Sequence, residues 1–278
     1  MTAMLQRIIT AVVGICVALV LVILSGTIAY NFTLAIITAI LLWEVLRANK
    51  CNEHKLLFGL CVSFGTLLPF FNLAILKPYI EIFYVVFALV ALFLFLFYFQ
   101  KIKVENFSYM IALTILISFS MNCFLEIRNN YDHGLYYLCL TLAASWLSDA
   151  GAYFVGVTLG KHKLCPSISP KKTIEGAVGG VIITAIVFSL ACLGYKLVLG
   201  YNGTDISVNY IVVVLFALTA SCLAIIGDLV ASLIKRQVDI KDFGNIMPGH
   251  GGLMDRFDSV LLVAPVMMLV LRYVEIFY

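Results

Sequence analysis

Between Asp228 and Asp258 an otherwise apolar chain turns ionic. The acids Asp228, Asp239, Asp242, Asp255 and Asp258 and the bases Lys235, Arg236, Lys241 and Arg256 share this segment with His250. Only 12% of the 278 residues are charged, and charge beside lipid is costly, so such a cluster marks a functional site by default. Asp228, Ser232 and Lys235 follow at intervals of four and three, which puts them on one helix face. Asp255 and Asp258 are three apart at the predicted start of the next helix, again on one face. Taken singly, Asp255 also reads as a first-turn acid favoured by the helix dipole, and Asp228 as a loop ion pair. Taken together, three hard oxygen donors from two predicted helices suit Mg²⁺, which takes one or two carboxylates and completes its shell with water and substrate phosphates. No histidine or cysteine cluster competes for a softer metal.

Between these helices lies Lys241-Asp242, followed by Pro248, Gly249, His250, Gly251 and Gly252. Such a turn lets backbone N–H groups approach an anion, and glycine loops that feed a helix are recurrent phosphate cradles. Glycine-proline turns also join membrane helices routinely. His250 reads as a ligand, as a phosphate donor or as a plain loop histidine. A second cluster, Ser169, Lys171, Lys172 and Thr173, stands immediately before another apolar run, a helix start suited to phosphate oxygens. Its lysines also fit a simple attraction to anionic headgroups. Glu175 is expected to be the capping acid of that helix. Asp149, set between Trp146 and Gly151, either reaches the same cavity or snorkels to the membrane interface. His54, His133 and His162 lie in short connections and carry no functional signal.

Elements must hold these groups, and composition says which. The chain is 63% hydrophobic with a mean hydropathy of +1.07, and its apolar runs are long and continuous. Only helices and closed barrels satisfy backbone groups in lipid, and continuous runs favour helices. The expected fold is all-α and polytopic, with about nine spans near 8–25, 28–46, 56–76, 79–99, 107–125, 134–159, 174–199, 208–234 and 257–276. Residues 1–130 then form about five N-terminal transmembrane helices. Residues 131–278 form a catalytic part of about four, with two charged loops. The aromatic run near residue 95 is expected to face lipid. No cleavable signal peptide is expected, because the first apolar run continues into the second. The eight cysteines are scattered without a CxxC pair, which speaks against a disulfide framework or a zinc site.

Basic residues set the expected orientation. With the N-terminus cytoplasmic, 14 of the 18 lysines and arginines fall on the inner side, leaving Lys77, Arg128, Lys196 and Arg272 outside. Both charged loops then face the cytoplasm, which fits a protein integral to the inner membrane of a bacterial cell.

The segment from Ser232 to Asp258 resembles the signature of the phosphatidate cytidylyltransferase (CDP-diacylglycerol synthase) family. The resemblance is carried by Ser232, Lys235-Arg236, Lys241-Asp242, Pro248 through Gly252, Asp255-Arg256 and Asp258. The segments SDAGAY and SPKKTIEG are similar to two further motifs of that family, so the likeness runs from Asp149 onward. The chain departs from the pattern at Ala231, where a glutamate is usual, and at Met247, where a branched aliphatic residue is usual. The resemblance implies the reaction of CTP with phosphatidate to give CDP-diacylglycerol and pyrophosphate, with one or two Mg²⁺ ions. It implies Asp228, Asp255 and Asp258 around the metal, with Asp149 a possible addition. Lys171, Lys172, Lys235, Arg236 and Arg256 would neutralise phosphates. Ser169, Thr173, Ser232, Lys241, Asp242, His250, Gly251 and Gly252 would bind substrate. A homodimer is implied as well, and no nucleic-acid partner is expected.

Two other readings use the same residues. A CTP-dependent polyprenol or dolichol-type lipid kinase would move the γ-phosphoryl group and release CDP. An ion-coupled transporter would place its acids near the bilayer midplane, whereas these acids cluster at predicted helix ends.

Overall fold

A 28-residue helix rises about 42 Å, ample for a hydrocarbon core of about 30 Å, and most apolar runs of this chain reach or approach that length. The computed structural model describes residues 22–247 and 251–278. Its helices are α1 (Ile28–Ala48), α2 (Lys55–Leu67), α3 (Ile80–Phe97), α4 (Val104–Asn129), α5 (Gly134–Leu159), α6 (Ile174–Tyr201), α7 (Tyr210–Gln237), α8 (Met254–Phe257) and α9 (Val260–Tyr273). Two short strands, β1 (Lys163–Cys165) and β2 (Ser169–Thr173), form an antiparallel hairpin between α5 and α6. Seven described segments are long and apolar enough to cross a bilayer. The protein is therefore a polytopic, helical integral membrane protein.

The expected spans differ from this at both ends. The first, near 8–25, lies mostly outside the described residues. The ninth, expected over 257–276, is the 14-residue helix α9, which rises only about 21 Å. Its start is cut back because Asp258 Oδ1 accepts the Ser259 N–H at 2.7 Å, a local bond that competes with helix formation. Its end is cut back because the chain turns extended after Tyr273. Ser207 and Tyr278 exchange backbone hydrogen bonds of 2.7 and 3.1 Å, and Asn209 N–H donates to the Ile276 carbonyl at 2.9 Å. The expected third span is also shorter as an α-helix, since Pro69 turns Leu68–Asn72 into a 3₁₀ segment.

The chain divides into two compact units. One comprises the residues up to Asn129 together with Gln237–Phe257; the other comprises Asn130–Arg236 and Asp258–Tyr278. In the first, α1 is the central helix, with Leu41, Leu42, Val45 and Leu46 fully buried. The Asn31 side-chain amide donates to the Pro69 carbonyl at 2.8 Å, which ties α1 to the 3₁₀ turn. Phe64 of α2 stacks on Phe83 and Phe87 of α3 at 4.9 and 4.1 Å. The aromatic run near residue 95 leaves Phe93 and Phe97 exposed, a surface suited to lipid, while Phe95 stacks on Phe107.

In the second unit α5 and α6 pack along a seam of small residues. A Cβ at Gly151 would stand 3.0 Å from the Gly180 Cα, and one at Gly180 would stand 2.5 Å from the Ser148 carbonyl oxygen. Such close approach maximises van der Waals contact where lipid offers no hydrophobic drive. The seam fixes the end of α5, and with it the hairpin that follows.

Candidate functional site

The second unit gathers most of the predicted ionic residues. The motif SPKKT stands immediately before α6, as expected, and forms strand β2; α6 begins directly after it at Ile174. Thr173 caps α6, its Oγ1 accepting the Gly176 N–H at 3.1 Å. This corrects the expectation for Glu175. Its carboxylate instead accepts the Lys161 N–H at 3.0 Å and the His162 N–H at 3.1 Å, and lies 2.6 Å from His162 Nδ1. Glu175 therefore closes the entry to the hairpin, and His162 is its partner rather than an idle loop histidine.

Strand β2 presents Lys172 to α7, where Lys172 Nζ lies 2.5 Å from Asp228 Oδ2. Asp258 is 8% exposed, and its electrostatic neighbours are Asp228, Lys235 and Asp149. Lys235 is itself buried, whereas Asp149, Lys171 and Arg236 are exposed and Ser169 and Ser232 half-buried. Three carboxylates and two ammonium groups thus share one neighbourhood within this unit. A buried acid among other acids needs a compensating cation, so the donor set has the chemistry that Mg²⁺ favours. Among the described residues, no three acid, histidine or cysteine side chains are placed to ligate one ion.

The remaining predicted residues belong to the first unit. Asp255 lies in the four-residue helix α8, which ends at Phe257. Asp255 Oδ2 accepts the Phe243 N–H at 2.9 Å and the Gly252 N–H at 3.0 Å. Gly251 adopts a φ of +86°, a left-handed conformation that glycine enters without strain, and its carbonyl accepts the Met247 N–H at 3.0 Å. Asp242 stands beside Gly251 as well, since a Cβ there would meet its carboxylate at 3.1 Å. Lys241 and Arg256 are exposed. Pro248, Gly249 and His250 lie outside the described residues. The glycine turn expected to cradle phosphate thus has the Gly252 N–H already engaged by a carboxylate.

Sequence reasoning missed Glu44. This residue of α1 is fully buried, and its Oε2 accepts the Met254 N–H at 2.8 Å. The available signal was one carboxylate within a 21-residue apolar helix, which is costly without a partner.

Carboxylates and ammonium groups gathered in a helical membrane protein suit the chemistry of phosphate and divalent cations. The profile of the cytidylyltransferase family matches residues 5–274, and the chain belongs to that family. A phosphatidate cytidylyltransferase of Bacillus subtilis (strain 168) is 38% identical over 275 residues, covering 95% of this chain and 96% of that protein. The protein of the same name from Staphylococcus aureus (strain COL) is 32% identical over 275 residues, covering 95% and 98%. A third, from Staphylococcus haemolyticus (strain JCSC1435), is 42% identical over 138 residues, half of each chain.

Proposed function

We propose that this chain is a phosphatidate cytidylyltransferase, which joins CTP and phosphatidate to give CDP-diacylglycerol and pyrophosphate. The observation that carries this reading is the match along 95% of the chain to the Bacillus subtilis protein of that name. In the reaction an oxygen of the lipid phosphate attacks the α-phosphorus of CTP. A new P–O bond forms, the bond to the bridging oxygen breaks, and pyrophosphate leaves with that electron pair. The nucleophile is already an anion at neutral pH, so no general base is required. Catalysis then consists of positioning and charge neutralisation.

Lys172 and Lys235, with Lys171 and Arg236 beside them, supply positive charge for phosphate oxygens, and Arg256 supplies more. Lys172 exchanges its Asp228 partner for phosphate when substrate arrives. Asp228 and Asp258, with Asp149 near, are the residues that would hold Mg²⁺. Mg²⁺ bound there supplies Lewis-acid polarisation and neutralises charge on the triphosphate. The excess of basic residues in the charged loops supports a site on the cytoplasmic face of a bacterial membrane, where CTP is available and the acyl chains stay in the bilayer. A homodimer is the assembly that the family resemblance favours.

The test is incubation of the purified protein with α-labelled CTP, phosphatidate and Mg²⁺, followed by lipid extraction. Label in the lipid fraction with release of pyrophosphate is expected. An unlabelled lipid fraction beside an active control, or release of CDP as a lipid kinase would give, overturns the reading.

A further inference from the structure

Glu44 lies in α1, far in sequence from every residue assigned to the reaction, yet within its unit it is bound to the signature segment. Its Oε2 accepts the Met254 N–H across 210 residues of sequence at 2.8 Å, and the Leu253 N–H also bonds to the carboxylate. The neighbouring backbone is shaped around it. A Cβ on Gly252 would stand 2.6 Å from Glu44 Oε2, and a Cβ on Gly244 would collide with Oε1. Two glycines of the signature thus make room for this carboxylate. Met254 and Gly252 flank the segment that Asp255 organises through the N–H groups of Gly252 and Phe243. Two carboxylates, Glu44 from outside the loop and Asp255 from within it, therefore hold consecutive backbone N–H groups. Glu44 Oε1 is buried with no hydrogen-bond partner among the described residues. A carboxylate in an apolar helix that leaves one oxygen unpaired is costly, and cost at a site of this kind points to a role.

We propose that Glu44 is a positioning residue for the reaction: through Met254 and Gly252 it sets the geometry of the loop that carries Asp255 and Arg256. The inference rests on the activity proposed above. Glu44 touches no substrate atom and acts through the backbone. A glutamine keeps both length and an acceptor oxygen for the Met254 N–H. Alanine removes the acceptor, and aspartate withdraws it by one methylene.

The experiment compares the full-length wild type, E44A, E44D and E44Q by two readouts, with N31A as a control. Asn31 is another buried polar residue of α1, and it bonds to Pro69 instead of the loop. The first readout is amide hydrogen exchange over residues 241–257, which needs no activity. E44A and E44D are expected to lose protection at Gly252 to Met254, while E44Q and N31A keep it. The second is steady-state kinetics with CTP and phosphatidate. E44A and E44D are expected to lose about 100-fold in kcat, the order of loss for a misplaced group, with KM for CTP changed far less, while E44Q stays within about threefold. Unchanged loop exchange in E44A, or equal kinetic losses in E44A and N31A, overturns the proposal. Protected loop amides in an E44Q that is as inactive as E44A overturn it too, since the charge would then act directly. A wild type that makes no CDP-diacylglycerol defeats the activity reading instead, and the exchange readout still decides whether Glu44 holds the loop.

Discussion

Lys172 of the hairpin and Asp228 of α7 form an ion pair at 2.5 Å, joining two segments that the sequence separates by 56 residues. Each side chain is about one quarter exposed, so the pair contributes at most about 1 kcal/mol to stability. Its value is in placing a cation and an anion where phosphate and metal are needed.

Replacing either partner should therefore affect turnover far more than folding. Lys172→Gln and Asp228→Asn are each expected to lower kcat/KM by about 100-fold, the scale of losing one preorganised electrostatic contact. The thermal midpoint should move by only a few degrees. The double variant should fall well short of the product of the single losses, because the two residues act as one unit. Simple multiplication of the losses would place them in separate roles.

Asp258→Asn makes a different forecast. Asparagine keeps an oxygen for the Ser259 N–H, yet it removes a negative charge from a buried neighbourhood that also holds Asp228 and Asp149. Unfolding measured in detergent should show stability equal to or above wild type, while activity falls by about 100-fold or more. Wild-type turnover in this variant would take Asp258 out of the site.

Asp255 is held by two backbone donors, so two substitutions separate its tasks. Asp255→Ala should free the Phe243 and Gly252 amides to exchange and abolish activity. Asp255→Asn retains an acceptor oxygen and should keep more of that protection, but it should still lose activity because the charge is gone. Near-normal activity in Asp255→Asn would leave Asp255 with a purely structural task.

Removal of divalent cation with a chelator should stop the reaction completely and reversibly. Re-addition of Mg²⁺ is expected to restore it, whereas Zn²⁺ should do so poorly, because the available donors are hard carboxylate oxygens. Activity that survives exhaustive chelation would exclude the metal assignment.

Much of this architecture is written locally in the sequence. The helices α3 to α7 follow from apolar length alone, since nothing but a helix satisfies such a run in lipid. The ionic residues of the second unit were visible as charge in apolar surroundings. What escaped were features decided by distant partners or by single side chains. The motif SPKKT became a strand because Lys163 and Cys165 pair with Thr173 and Ser169, a register that five residues do not announce. Glu175 stays in the first turn of α6 but turns its carboxylate to the amides of Lys161 and His162, with Thr173 taking the cap. The break between α8 and α9 turns on one bond from Ser259 to Asp258. Glu44 showed as a lone carboxylate in an apolar helix, but its partner, Met254, lies 210 residues away.

The chain leaves the second unit at Gln237 and re-enters it at Asp258, so the unbroken stretch between them folds with the N-terminal helices. Inheritance must respect that boundary. A chimera that grafts the first 129 residues of one relative onto the remainder of another would set a foreign α1 against residues 237–257, the stretch in which Gly244 and Gly252 make room for Glu44. Functional hybrids should require both pieces from the same parent, which makes the early helices and the late signature a single unit of exchange.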